Sequence, residues 1–182
     1  MQEQKKPTKP SGEATEEQLA MAKNQGEVLE KALNHMLTEV ATDGQEKHAG
    51  PYLVSYAVEE AEGMYHLEGD ELVWREPEEK NAHVEVAVRD AADGRFIPGL
   101  NIYVRLRDEE HNEIGCHRQP FVWHPWLYHY GRNWQVPGDG NYHLEIHIEA
   151  PDFPRHDEKN GRRYATDVGV EFSPIKIETG QD

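Results

Sequence analysis

Cysteine is almost absent from this chain. Cys116 is the one thiol in 182 residues, which excludes an internal disulfide and a cysteine-built zinc finger. Basic residues are scarce as well: 19 Lys and Arg stand against 35 Asp and Glu, for a formal net charge of -16. That sign opposes binding to nucleic-acid phosphates or to an anionic membrane surface and attracts cations, although a salt-adapted host would show the same acidity. No segment approaches the roughly 18 apolar residues of a membrane span, and a mean hydropathy of -0.90 reads as a soluble chain. The opening residues, MQEQKKPTKPSGEATEE, lack the hydrophobic core of a signal peptide, as a trimmed secreted chain also would. Hydrolase signatures are missing too. There is no G-x-S-x-G elbow, no H-E-x-x-H and no phosphate-binding glycine loop, so the chain reads as a binding protein and not an enzyme.

What is present divides into a polar lead, a helix and a β domain. Residues 1–14 are rich in Lys, Pro, Gly and Ser, the composition of a disordered tether. Thr15 and Gln18 have capping-box spacing. From there Leu19, Ala22, Gly26, Leu29, Leu33, Met36 and Val40 recur every three or four residues, which predicts an amphipathic helix over 15–43. Beyond Pro51 the helical period gives way to short alternating segments between turn signals, the pattern of an antiparallel β-sandwich. Strands are expected near 52–58, 71–76, 82–89, 100–107, 112–118, 132–136, 141–149 and 167–177, in a single domain over 50–178.

Histidines concentrate where the aromatics do. The stretch 121–163 holds five of the 11 histidines of the chain, among Trp, Tyr and turn residues. Neutral imidazole binds Cu, Zn, Fe and Ni without losing a proton, so this is the strongest pointer to a metal site. His83 and Glu85 lie two apart on a predicted strand, hence on one face, either as donors or as the wet face of an edge strand. His129 is expected in a loop ahead of a strand, shielded by Tyr128 and Tyr130. His156 falls in the polar loop Pro154-Arg155-His156-Asp157-Glu158, where a solvated charge cluster is the plainer alternative. His117 and His124 flank the aromatic segment. His143, Glu145 and His147 share a strand face, but donors spaced about 7 Å apart along a strand cannot all reach one ion. The aromatic series Phe121, Trp123, Trp126, Tyr128, Tyr130 and Trp134 suits a core or an interface.

The run Tyr128-His129-Tyr130-Gly131-Arg132-Asn133, then Pro137-Gly138-Asp139-Gly140-Asn141-Tyr142, then Arg155-His156-Asp157-Glu158-Lys159-Asn160-Gly161, preceded by the His83-x-Glu85 strand, resembles the periplasmic high-affinity ferrous-iron transport proteins. The resemblance covers about residues 50–178. It implies an immunoglobulin-like sandwich that homodimerises, binds copper and serves iron uptake through an inner-membrane iron permease, in a periplasmic or other extracytoplasmic location; the polar N-terminus, outside the resemblance, would be the membrane tether there. It also implies His83, Glu85, His129 and His156 as metal ligands. Where the family has a methionine thioether ahead of the HYG histidine, this chain has Val122. His124 is the candidate replacement, which would shift preference from Cu(I) toward Cu(II), Zn(II) or Fe(II).

The leading expectation is therefore a metal-binding protein that captures or delivers iron or copper, with zinc as a further candidate ion. The alternative is a carbohydrate- or protein-binding sandwich that presents its aromatic cluster. Copper-dependent oxidation of Fe(II) is compatible with the histidines but nothing demands it. Histidine ligation predicts that metal affinity falls between about pH 7 and 5, as imidazoles protonate near their reference pKa of about 6.5.

Overall fold

The computed structural model describes residues 7–182, so residues 1–6 of the expected tether lie outside the described residues. Residues 7–14 run along the 157–160 turn. There the Lys9 N–H donates to Asn160 Oδ1 at 2.9 Å and the Ser11 hydroxyl donates to Asp157 Oδ2 at 2.8 Å.

Helix α1 spans Glu16–His35 and opens with the capping box its sequence predicts. Gln18 N–H donates to Thr15 Oγ1 at 3.2 Å and Thr15 N–H donates to Gln18 Oε1 at 2.8 Å, satisfying donors that a helix start leaves free. Ala22, Gly26 and Leu33 form its buried stripe. The helix continues as a π-helical turn over Met36–Val40, closed by Ala41 N–H donating to Met36 O at 2.9 Å.

Eleven antiparallel strands follow. One sheet has five strands in the order β1 (Asp43–Ala49), β2 (Tyr52–Glu59), β5 (Ala82–Asp90), β9 (His129–Trp134) and β8 (Phe121–Val122). The other has four, in the order β11 (Val168–Ile177), β10 (Gly140–Ile148), β6 (Ile102–Arg107) and β7 (Glu113–Gln119). Leaving β1 aside, this is the strand order of an immunoglobulin-type sandwich. A separate exposed hairpin pairs β3 (Met64–Glu68) with β4 (Glu71–Arg75), turning at Gly69, whose φ of 60° suits a two-residue loop. Inward-facing Val84, Val86 and Val88 meet Ile102, Val104, Leu106, Leu144, Ile146 and Ile148 in one core. No described helix is long and apolar enough to cross a membrane.

Three differences from the sequence expectation matter. Residues 43–49, the first of them inside the expected helix, form β1, an edge strand of polar residues with no alternation to betray it, placed only by its ladder with β2. Strands β3 and β8 are likewise additions to the expected set. Strand β9 begins at His129, not near 132, so His129 is a strand residue and not a loop residue. Finally, β5 is a central strand buried on both faces, so His83 and Glu85 are not on the wet face of an edge strand.

The outer face of β5 is covered because α1 lies on it. Leu33 and Met36 pack with Ala57, Ala87 and Leu127 in a second apolar cluster. Gly26 permits the approach: a Cβ there would lie 1.8 Å from the carbonyl oxygen of Asp93. On a free helix Gly→Ala adds stability. Here Gly26→Ala should lower stability by about 1–3 kcal/mol through the forced shift, read as a lower urea midpoint. An unchanged or higher midpoint would mean that α1 does not dock here.

Candidate metal centre

The period of two along β5 and β9 assembles this site. Val84 and Val86 point into the core, so His83 and Glu85 project outward. On β9 Tyr130 and Trp134 face inward, and the buried Tyr130 hydroxyl donates to Ile97 O at 2.8 Å and accepts from Leu100 N–H at 3.0 Å. With Tyr130 pinned, His129, Gly131 and Asn133 share the outer face beside β5. The register sets Glu85 opposite Gly131 and His83 opposite Asn133.

Three ligand-type groups converge there. One donor atom each of His83, Glu85 and His129 lies within 4.8 Å of the others, and all three residues are buried. His129 Nε2 is 3.2 Å from Glu85 Oε1, yet it lacks hydrogen-bond alignment with any partner, as does His83 Nε2. The contact is proximity around a shared point, not a formed hydrogen bond. Both rings are held by the opposite nitrogen. His83 Nδ1 is 2.8 Å from Asn133 Oδ1, and His129 Nδ1 is 3.2 Å from Leu127 O. Since those oxygens can only accept, Nδ1 carries the hydrogen in each neutral ring, leaving the Nε2 lone pair directed into the site. Asn133 is oriented in turn, with its Nδ2 donating to Glu62 O at 2.7 Å and its Oδ1 accepting from Glu62 N–H at 3.2 Å.

Gly131 supplies the space. A Cβ at this position would lie 2.7 Å from His83 Nε2 and 3.2 Å from His129 Nε2, inside the volume the two lone pairs face. Unpartnered, buried nitrogen lone pairs around a hollow that one methyl group would fill suit a transition-metal ion, because imidazole and carboxylate are donors for Cu, Fe and Zn.

Burial keeps this group electrically neutral when no ion is held. It drives the His129 imidazole down to about 3, helped by the charges that His83 and His124 would carry. It lowers His83 as well, against the opposing Asn133 hydrogen bond and Glu62 charge. Burial raises the Glu85 carboxyl to about 9, with the Glu59 and Glu62 charges adding to the effect. Glu59 is itself raised, by burial first and then by Glu62.

The remaining sequence candidates have different places. His124 stands beside the group, with its ring centroid 6.0 Å from that of His129 and its buried Nδ1 unpartnered. His156 is not brought to the group within one chain. Its side chain is 90% exposed and its Nδ1 lies 3.0 Å from Glu13 Oε2. The loop holds this outward pose because Arg155 donates to the Phe153 and Tyr164 carbonyls while Asp157 accepts from Asn160 and Ser11. His143, Glu145 and His147 each have their own partners in Ser173, the pair Arg105 and Arg107, and Asp167. His117 packs on Trp134. Of the aromatic series, Tyr130 and Trp134 are core, and Phe121, Trp123, Trp126 and Tyr128 are exposed. Sequence reasoning gave no role to Asn133 or Gly131. The signal was available, since both share the strand parity of His129, but it required β9 to begin at His129.

The model of the family described as Fe2+ transport protein matches residues 44–175. No curated protein matches the chain. Solved structures do. The copper-reconstituted P19 protein of Campylobacter jejuni aligns with a TM-score of 0.64 at 20% identity, over 76% of this chain and 96% of that one. FetP of uropathogenic Escherichia coli strain F11 aligns with a TM-score of 0.61 at 19% identity, over 75% of this chain and 94% of that one. A copper-bound point variant of the Campylobacter jejuni P19 protein aligns with a TM-score of 0.62 at 19% identity, over 75% and 96% of the two chains.

The buried carboxyl has a consequence for the metal-free protein. The folded state holds the Glu85 proton up to about pH 9, whereas the unfolded chain loses it near the ordinary value of 4.5. Folded stability therefore falls as pH rises through that window. Glu85→Gln removes the titration, so the metal-free variant should lose less stability than the parent between pH 5 and 9 in denaturant titrations. Parallel pH profiles would show that Glu85 is ionised in the fold.

Proposed function

The chain belongs to the Fe2+ transport protein family, and from that premise we propose that it captures or delivers iron or copper outside the cytoplasm, in high-affinity uptake through an inner-membrane iron permease. The family is one of transport proteins and not of enzymes, and the proposed mechanism is coordination and hand-over without covalent change. We assign His83, Glu85 and His129 as ligands, with His124 beside them. The observation that carries this assignment is the pair of buried Nε2 lone pairs, each fixed by a hydrogen bond at the opposite nitrogen and each without a partner.

The donor set determines what uptake and release involve. Neutral imidazoles accept an ion without deprotonation, whereas Glu85 must give up a proton that burial makes it keep. The carboxylate formed offsets part of the charge of a divalent ion, and Glu59 and Glu62 lie near enough to add to the field. Protonation of Glu85 opposes binding and so favours release. This replaces imidazole titration as the source of pH dependence, because both buried rings have been moved below their ordinary range.

A homodimer is part of this proposal. With its side chain 90% exposed, His156 reaches an ion only across a contact with another molecule. The expected tether of residues 1–14 is proposed with its residues 9–11 held against the 157–160 turn of the domain, and 50–178 is proposed as the metal-binding domain, in a periplasmic setting. A second reading, a carbohydrate- or protein-binding surface, draws on the exposed rings of Phe121, Trp123, Trp126 and Tyr128. Tryptophan fluorescence that responds to glycans and not to micromolar copper would favour it.

Two expected outcomes test the site. His83→Ala and His129→Ala should each weaken Cu(II) binding by more than about tenfold in calorimetry, as should Gly131→Ala by filling the hollow, while His143→Ala should not. Equal effects from all four would reject these ligands. Calorimetry at pH 7 in buffers of different ionisation enthalpy should also report about one proton released per ion, with affinity rising about tenfold per pH unit up to pH 9. Affinity that is flat over pH 7–9 would remove Glu85 from the ligand set.

A further inference from the structure

The N-terminal helix lies outside the residues that match the family, yet its last turn reaches the site. Met36 is 4% exposed and opens the π-helical turn Met36–Val40, a widened geometry that recurs at functional positions in helices. Together with Glu85, His129 and Leu127 it walls a cavity of about 10 Å³. That is the smallest space in which a single water could sit, and most of its lining is apolar, so the atoms there with lone pairs to share are few. Glu85, His129 and the Met36 thioether are among them, beside Ser55, whose hydroxyl donates to Ala87 O at 3.4 Å.

The position of Met36 is well determined. Gly26 brings α1 against the Asp93 and Gly94 backbone, and Leu33 packs one turn ahead of Met36 in the same cluster as Ala57, Ala87 and Leu127. On the other side His35 meets Trp126 edge-on at 5.9 Å, and Trp126 meets His124 at 5.8 Å. The end of α1 therefore touches both the carboxylate side of the site and the segment that carries His124. A methionine could serve there as gap filler. The residual cavity that it shares with Glu85 and the unpartnered His129 points to chemistry as well as packing.

We propose that Met36 is a sulfur ligand of the metal centre, contributed by the appended helix, which lets a site otherwise built of imidazole and carboxylate hold Cu(I). The inference rests on the assignment of His83, Glu85 and His129 as ligands. A thioether has no proton to lose and is a soft, polarisable donor, and soft sulfur donors select Cu(I) over Zn(II) or Fe(II). Met36→Leu keeps the volume and the apolar character, and so tests the sulfur while sparing the packing.

The test uses the full chain with Cys116→Ser, which removes the one thiol. Loaded anaerobically with Cu(I), this protein should show a sulfur scatterer in the X-ray absorption fine structure of copper. Met36→Leu should abolish that scatterer and lower Cu(I) affinity, measured against a colorimetric Cu(I) chelator, by more than about tenfold, with Zn(II) affinity within about twofold. Met64→Leu, a methionine near Asn133 and Gly131, should change neither. A copper shell of nitrogen and oxygen alone in the parent, or a sulfur scatterer that survives Met36→Leu, overturns the proposal while leaving the three-residue site standing. Equal loss of Cu(I) and Zn(II) in Met36→Leu also overturns it, because that is the signature of packing. Parent protein that binds no ion would instead reject the proposed function beneath it. Absorption on the parent needs no variant, so poor folding of Met36→Leu does not spare the idea.

Discussion

Strand β5 alternates Val84, Val86 and Val88 with His83, Glu85 and Ala87, and both of its faces are buried. The valine face needs only another apolar layer, which the four-stranded sheet provides. The polar face needs partners, because a buried amide, imidazole or carboxyl left without one costs about 1–3 kcal/mol. Much of the surrounding structure answers that need. Asn133 holds one ring and the Leu127 carbonyl the other, Glu59 shares a hydrogen bond with Glu85, and α1 closes the apolar part of the same face over Ala57 and Ala87. At the hollow beside Gly131 the pair of Nε2 atoms stays without a partner, and two such lone pairs facing one space are a reason to expect an ion.

The same burial decides the electrostatics. In water the group would be two partly protonated imidazoles beside a carboxylate. Enclosed, each charged form is penalised, so the bases shift down and the acid shifts up until all are neutral near pH 7. A site of this kind can be folded without an ion and still be ready for one, since only a single proton must leave. The net charge of -16 lies outside this neutral pocket, where its sign favours the approach of cations.

Helix α1 and the β domain are joined by small residues and sulfur. Gly26 allows backbone contact at Asp93, and the π-helical turn delivers Met36 to the cavity beside Glu85 and His129. A sandwich of this strand order without the helix would present the Ala57, Ala87 and Leu127 face to solvent. The added element is thus a wall of the candidate site and not only a spacer.

Local chemistry that speaks through periodicity was legible in the sequence. Capping at Thr15, the helical stripe, the alternating strands near 52–58, 82–89 and 141–149, and the shared face of His83 and Glu85 all follow from spacings within a few residues. The family motifs singled out His129 for the same reason. Long-range decisions were not legible. Polar β1 became a strand because β2 offered a ladder, not because its own residues alternate. His83 and Glu85 are buried because β5 is central, and His156 faces solvent because its loop bonds to itself and to residues 9–11. Gly131 and Met36 are single residues whose importance depends on what stands across from them, a glycine opposite Glu85 and a methionine over a cavity. The sequence by itself determined which side chains could bind an ion and which face of each element they share. Which of them meet, and whether water reaches them, was decided by pairing and packing between segments far apart in the chain.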